Sequence, residues 1–521
     1  MPKNIVVYSD GTGQDGGVRP EQRISNVYKL YRASRNHPDN AIEPHQQVAF
    51  YDPGLGTDIG ATALTAPVRF VQKLLGSVTG QGIKRNIADC YEFIVNHYEE
   101  GDRIFLIGFS RGAYTVRCVA NLLMLCGVPT RTPAGHLMRF RKAVRDIAEE
   151  AVDKVLEHGA SHPRAEFEAE RDELARRFQI KYGSGDGRDS NAAPYFIGVF
   201  DTVAALGATG MRRLLIHIGL SLGVGTGIAL LSILPAIIIS ALFHWFFCPG
   251  FWWIAVALVA TSTVAGTGLW WRKQKAANLK TIRDFPKAGD VYSHYADWKG
   301  ENFDRLLSRH VSYARSANAI DETRKDFDRV AWGGVQKGVP DEVNGHTRLV
   351  QWWFAGNHSD VGGSYPEPES RLSDIALAWM TEQATTITDG LKIGPVIVHG
   401  NKMPNTGDAG ELLNLFPSPD GVQHCEVAGM CDTLDGYADR LPTFLHRFLS
   451  GRNWEVKIRT ITNDARVHPM VRERFALDHV VQCAGWGAYR PEALKGHDDF
   501  KAYYPQSNLA PPSQAPSTPS A

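Results

Sequence analysis

The chain has 521 residues, with 56 Lys+Arg balanced by 56 Asp+Glu. That length can bury a large core across more than one structural unit, and the charge balance excludes a nucleic-acid surface driven by bulk charge. Seven cysteines, at positions 90, 118, 126, 248, 425, 431 and 483, show neither paired metal-ligand spacing nor a small-domain disulfide framework, and read as mostly buried, reduced thiols.

The N-terminus runs almost at once into an apolar strand at residues 5–8, with no long apolar core and cleavage site, so no cleaved secretory signal is expected. The loop that follows, SDGTG at residues 9–13, has two readings. It supplies oxyanion N–H groups from Gly11 and Thr12, or it cradles a phosphate, although G-x-x-x-x-G-K-[ST] is absent. Residues 104–107 form a short apolar run fit for a fully buried parallel strand. From Arg111 the apolar positions recur three and four apart, as on a helix. Between them, Gly108-Phe109-Ser110-Arg111-Gly112 fits G-x-S-x-G, in which a sharp strand-to-helix turn exposes a serine Oγ. The Arg111 N–H opens the helix and is placed to donate to an oxyanion. Residues 138–177, rich in Arg, Glu and Ala, read as charged helices: a cap or lid, or a solvated face.

A serine needs a base, usually a histidine oriented by a buried carboxylate, and in α/β-hydrolases these follow in the order Ser, Asp or Glu, His. Asp201 follows a strand at residues 195–200, where its bland alternative is a helix N-cap. His358 follows a strand at residues 349–354 inside a glycine-rich loop. Asp360, two residues on, is an alternative acid for His358, a cation ligand together with Asp10, or a local loop acceptor. Between Asp201 and these elements, residues 214–271 carry no Asp, Glu, Lys or Arg. Two helices of about 20 apolar residues fit there, with Cys248-Pro249-Gly250 as the turn. Arg212, Arg213, Arg272, Lys273 and Lys275 flank the ends and Trp245, Trp252, Trp253, Trp270 and Trp271 fall near the interfaces. The stretch reads as a transmembrane hairpin with both ends cytoplasmic; buried core helices or an apolar lid are the alternatives. The Pro/Ser/Ala-rich tail at residues 506–521 is expected to be disordered.

Five blocks, YSDGTG from Tyr8, GFSRGAYTVR from Gly108, GVFDTVAALG from Gly198, ARSANAIDETRKDF from Ala314 and WFAGNHSDVGGSY from Trp353, occur in an order and separation that make chance similarity improbable. Over residues 1–380, the hydrophobic insertion excepted, the chain resembles the α/β-hydrolase domain family that includes the catalytic domains of type VI secretion phospholipase effectors, first lipase class. The resemblance implies a Ser-Asp-His esterase acting on glycerophospholipids, with Ser110, Asp201 and His358 on the family's motif positions. It also implies a secretion-system or immunity partner if the chain is a delivered effector.

The expected fold is α/β, α/β-hydrolase-like, with a mainly parallel sheet, helices on both faces and a transmembrane helical hairpin interrupting it. The expected divisions are hydrolase segments at 1–211 and 276–390, a hairpin at 212–275 and a packing C-terminal region at 391–505. The expected chemistry is acyl transfer from membrane lipids through an acyl-enzyme, with no cofactor and no metal. The catalytic domain is expected on the cytoplasmic side of a membrane, or the chain is secreted and acts on target-cell membranes. Competing readings are an inactive membrane-anchored scaffold and a metal-assisted hydrolase using Asp10, His358 and Asp360.

Overall fold

The computed structural model describes residues 2–11, 24–54, 81–160, 162, 166–203, 210–247, 250–296, 306–327, 329–426, 456–483 and 485–505. Thr12, Cys248, Pro249, Cys431 and the tail at 506–521 lie outside them.

Six strands form the central sheet: β1 (Asn4–Ser9), β2 (Gln47–Asp52), β3 (Arg103–Phe109), β4 (Pro194–Phe200), β5 (Tyr313–Ala319) and β6 (Leu349–Phe354). Their spatial order is β6-β5-β4-β3-β1-β2 and every neighbouring pair is parallel. Alternate residues of one strand point to opposite faces. Ile5, Val7, Ile104 and Leu106 therefore pack beneath α2 (Gln81–His97) and α3 (Arg111–Cys126), while Val6, Tyr8, Phe105 and Ile107 meet α1 (Asn26–Ser34) and α9 (Arg371–Thr385). Helices thus cover both faces, as a buried parallel sheet requires. The strand order reverses between β1 and β3, and the crevice outside the carboxyl ends at such a switch point is the expected ligand position in open α/β sheets.

The helices within residues 138–177 have two sides, one charged and exposed, with Lys142 and Lys154 on it, and one packed inward. Helix α4 (Lys142–Glu150) buries Val144, Ile147 and Ala148, and α5 (Glu168–Tyr182) buries Ala175 and Phe178, all in the same core cluster as α2 and α3. The outer edge of β6 is covered by the C-terminal region. The Trp353 N–H donates to Arg466 O at 3.0 Å and the His468 N–H to Trp353 O at 2.9 Å, and a third core cluster joins Trp353 to Val471 and Phe475 of α10 (Pro469–Ala476). Covering an edge strand removes a row of unpaired backbone groups.

Two long helices interrupt the passage from β4 to β5: α6 (Gly210–Phe247), which continues through Pro235, and α7 (Phe251–Asn278). Both are long and apolar enough to cross a membrane. They pack on each other through small residues: a Cβ added to Gly266 would stand 2.7 Å from Ile228 Cδ1. The Trp271 Nε1–H donates to Ser221 Oγ at 3.1 Å. They are not core helices, because Leu231 is 80% and Trp253 82% exposed. Beyond α7, a two-stranded ribbon (Leu279–Arg283 with Val291–Tyr295) docks on the α4–α5 layer, where Lys280 Nζ donates to Glu157 Oε2 at 2.6 Å and Lys84 pairs with the same carboxylate.

The cysteines divide. Cys90, Cys118 and Cys126 are buried thiols, but Cys425 and Cys483 form a disulfide, correcting the expectation of reduced thiols for that pair. Their separation of 58 residues carries no spacing signal, and the bond joins two segments that only the fold brings together.

Helix α3 crosses the strand ends so closely that both glycines of the serine motif are required by contact. A Cβ at Gly112 would stand 2.1 Å from Ser9 O, and one at Gly108 2.6 Å from Gly112 O. Gly112→Ala is therefore expected to push α3 off β1 and destabilise the fold by about 1–3 kcal/mol, the usual cost of overpacking. A lowered urea midpoint for that variant checks it; an unchanged midpoint would contradict the close approach.

Candidate active site

The site is built from the loops that leave β1, β3, β4 and β6 at their carboxyl ends. Ser110 stands between the last residue of β3 and the first of α3, with φ 58° and ψ −123°. This is a positive-φ conformation that costs a non-glycine residue of order 1–3 kcal/mol and persists only when its surroundings dictate it. Those surroundings are visible: the Ser110 N–H donates to Phe200 O at 3.1 Å, and Ser110 O accepts from Tyr114 N at 3.2 Å. The first of these bonds ties the serine turn to the end of β4, one residue before Asp201.

Asp201 also has a positive φ, 35°, and is fully buried. Its N–H donates to Ala317 O at 2.7 Å. Its Oδ1 accepts from the Ala319 N–H at 3.1 Å, and its Oδ2 accepts from His358 Nδ1 at 2.6 Å and Arg459 Nη2 at 3.0 Å. Burial pushes this carboxyl up, but the Arg459 guanidinium and the His358 ring outweigh it and hold it at about 2. The helix-cap alternative for Asp201 is not what its side chain does.

His358 opens α8 (His358–Gly362), a short helix capped by Asn357, whose side chain accepts from Ser359 and Asp360 N–H. The imidazole lies between the Phe109 ring at 4.7 Å and the Phe327 ring at 5.1 Å, and the His358 N–H donates to Glu322 Oε2 at 3.2 Å. With Nδ1 on Asp201, Nε2 is buried without a partner, so it makes no bond to Ser110 Oγ in this state. The Phe109 ring, adjacent to the serine, packs directly on Gly362, where a Cβ would stand 1.9 Å from it.

Asp360 does not orient His358. It completes the Asn357 capping box, and its Oδ1 bonds His424 Nδ1 at 2.7 Å. His424 Nε2 meets Glu369 at 3.1 Å, and although burial opposes its charge, the two carboxylates raise the His424 pKa. Asp10 is likewise engaged elsewhere, accepting from Ser25 Oγ and from Tyr51 OH at 2.8 Å; burial raises it to about 6 despite those donors. Asp10, His358 and Asp360 thus belong to three separate hydrogen-bond systems.

Gly11 packs directly on the serine, since a Cβ there would stand 3.3 Å from Ser110 Cβ. Its N–H, however, donates to Asp10 Oδ1 at 2.7 Å, so in this state it is occupied. Thr12 lies outside the described residues. The Arg111 N–H is at the first position of α3, where no intrahelical partner exists. Arg459 and Glu322, both in contact with the Asp201–His358 pair, were not signalled in the sequence. A positive residue 258 positions from its carboxylate has no local pattern.

A serine at a strained strand-to-helix turn and a buried Asp–His pair, gathered at the carboxyl edge of a parallel sheet, define an α/β protein with a candidate site beside the switch point. The model of the family described as T6SS, Phospholipase effector Tle1-like, catalytic domain matches residues 3–221 and 263–383, and the chain belongs to that family. The interruption falls inside the α6–α7 hairpin. An uncharacterized protein of Saccharomyces cerevisiae is 25% identical over 473 residues, covering 83% of this chain and 64% of the relative. The chain therefore spans a little under two thirds of that relative's length. Two solved structures, each 16% identical, are also similar. One is of an uncharacterized protein from Pseudomonas aeruginosa, with a TM-score of 0.31, covering 75% of this chain and 47% of that one. The other is of the Tle1 effector bound to the VgrG spike from the type 6 secretion system, with a TM-score of 0.27, covering 71% and 53%.

Because the Asp201 carboxyl is held below its ordinary value, its contribution to stability is present above about pH 4 and is lost as pH falls towards 2. Arg459→Met breaks this buried pair and is expected to cost roughly 3–5 kcal/mol at pH 7. The difference from the parent should narrow as pH falls from 5 to 2, where Asp201 protonates in both. Urea unfolding across that pH range checks the slope.

Proposed function

We propose that the chain is a serine esterase that hydrolyses phospholipid carboxylic esters, with an α/β-hydrolase fold and a catalytic triad of Ser110, Asp201 and His358. The observation that carries this reading is the imidazole itself. It is fixed on its Nδ1 side by a buried carboxylate, leaves Nε2 unpartnered, and packs against the residue preceding a serine held at positive φ. His358 Nε2 takes the Ser110 proton as Oγ attacks the ester carbonyl, and the imidazolium then protonates the departing alcohol. Apo sites often lack the serine–histidine bond and tighten on substrate. Asp201 fixes the tautomer and stabilises the imidazolium, and Arg459 keeps that carboxylate ionised. The Arg111 N–H, at the positive end of α3, donates to the oxyanion. The Gly11–Thr12 loop contributes a second donor once the Gly11 N–H leaves Asp10. Water releases the acyl-enzyme, and no step calls for a cofactor.

The lipid substrate rests on family membership. The membrane reading rests on the exposed, apolar spans of α6 and α7 together with their interfacial tryptophans. A hairpin entering the bilayer a few residues after Asp201 would hold the site close to the lipid surface, with both hairpin ends and the catalytic residues on the same side, in a resident enzyme or a delivered effector. For an effector, a secretion-system component is the expected partner.

Fluorophosphonate labelling of the detergent-solubilised protein is expected to modify Ser110 and to be lost in Ser110→Ala. Asp201→Asn should lower kcat about 10⁴-fold, as loss of the correct histidine tautomer does in serine hydrolases. Folded protein that takes up no label would overturn the serine mechanism. Replacing residues 212–275 by a short linker should move the protein from carbonate-washed membranes to the soluble fraction; continued membrane partitioning would count against the hairpin as anchor.

A further inference from the structure

Beside the Asp201–His358 pair lies a small cavity of about 140 Å³ whose walls carry four cationic side chains, Arg324, Arg329, Lys457 and Arg459, between the rings of Phe327 and Trp353. It shares two walls with the candidate active site. Phe327 is the ring that meets the His358 imidazole, and Arg459 is the residue that bonds Asp201.

The three guanidinium groups are held in place before any ligand arrives. Arg324 is bonded to both oxygens of Glu322, at 2.9 and 2.7 Å, and lies over the Phe327 ring at 3.6 Å. Arg329 donates to Asn318 Oδ1 at 3.0 Å and lies over the Trp353 ring at 4.7 Å. A planar guanidinium held by its face on a ring is a preorganised donor for the multiply accepting oxygens of a phosphate. Arg459 adds the feature that points to a ligand. The residue is only 7% exposed, its Nη2 is spent on Asp201, and its Nη1 is buried with no partner. A buried charged N–H without an acceptor is costly. An anionic oxygen in the adjoining cavity would satisfy it.

The carboxylates that Arg324 and Arg459 meet, Glu322 and Asp201, are each already shared with His358, and Glu426 stands 3.7 Å from Arg324. We propose that this cavity is a phosphate subsite, which holds the phosphodiester of a glycerophospholipid while its acyl ester is presented to Ser110. The lipid assignment rests on the esterase reading above; recognition of a phosphate oxyanion does not, and free phosphate has the same chemistry.

The test uses the full chain in mixed micelles with two lipids of identical acyl chains, phosphatidylcholine and uncharged diacylglycerol, and with p-nitrophenyl butyrate as a soluble ester. For Arg329→Gln and Lys457→Gln, the ratio of kcat/KM for phosphatidylcholine to that for diacylglycerol is expected to fall about tenfold, the scale of one lost charged hydrogen bond. Arg329→Lys should restore part of it. In parallel, calorimetric titration of inorganic phosphate into the Ser110→Ala protein is expected to give binding that Arg329→Gln weakens. Phosphate binding with an unchanged lipid ratio would assign the cavity to free phosphate. No phosphate binding and an unchanged ratio in both variants, with the soluble ester still cleaved, would overturn the subsite and leave the esterase intact. Phosphate binding by a protein that cleaves none of the three esters would instead overturn the esterase reading and keep the subsite.

Discussion

A fully buried carboxylate at the end of the fourth strand sets the terms for the rest of the molecule. Taking an ion out of water costs several kcal/mol, which is offset only by well-placed partners. Asp201 has three, each from a different part of the chain: the Ala319 N–H at the end of β5, the His358 imidazole beyond β6 and the Arg459 guanidinium from the C-terminal region. The three close on one anion only when β4, β5 and β6 are in register and the C-terminal region covers the β6 edge. The candidate site and the correct assembly of that half of the sheet are therefore one constraint.

The other half of the site is set by steric closeness. Ser110 is bent into an unfavourable backbone conformation because α3 begins immediately above the ends of β1 and β3, and the contacts at Gly108 and Gly112 leave no room for a side chain. The bond from the Ser110 N–H to Phe200 O then joins this strained turn to the strand that delivers Asp201. Placement at the switch point follows from topology: the chains leaving β1 and β3 run to opposite faces of the sheet and open a crevice between them.

The hairpin occupies a telling position in that topology. It lies in the crossover from β4 to β5, so the segment that starts at Asp201 and the segment that leads to the Asp201 partner Ala319 are separated by α6 and α7. Its far end is clamped by the ribbon, through Lys280 on the buried Glu157 carboxylate.

Much of the fold was legible because it is carried by local patterns. The apolar runs of β1, β3, β4 and β6 mark buried strands, the G-x-S-x-G segment marks a strand-to-helix turn, and a long stretch without charge marks α6 and α7. β5 was less legible: Tyr313–Ala319 is entirely buried yet contains Arg315, Ser316 and Asn318, whose polar groups are satisfied by Gln383, by backbone carbonyls and by each other. The order Ser110, Asp201, His358 was visible for the same local reason, since each residue follows its own strand. What tertiary structure alone decided is which carboxylate meets which base. It gave Asp360 to His424, withdrew the Gly11 N–H to Asp10, joined Cys425 to Cys483, and brought Arg459 across 258 positions to Asp201. Hydropathy period and turn chemistry act between neighbours in the chain and can be read from it. The pairing of buried charges depends on distances of a few ångströms between segments far apart in sequence, and those distances exist only once the sheet has formed.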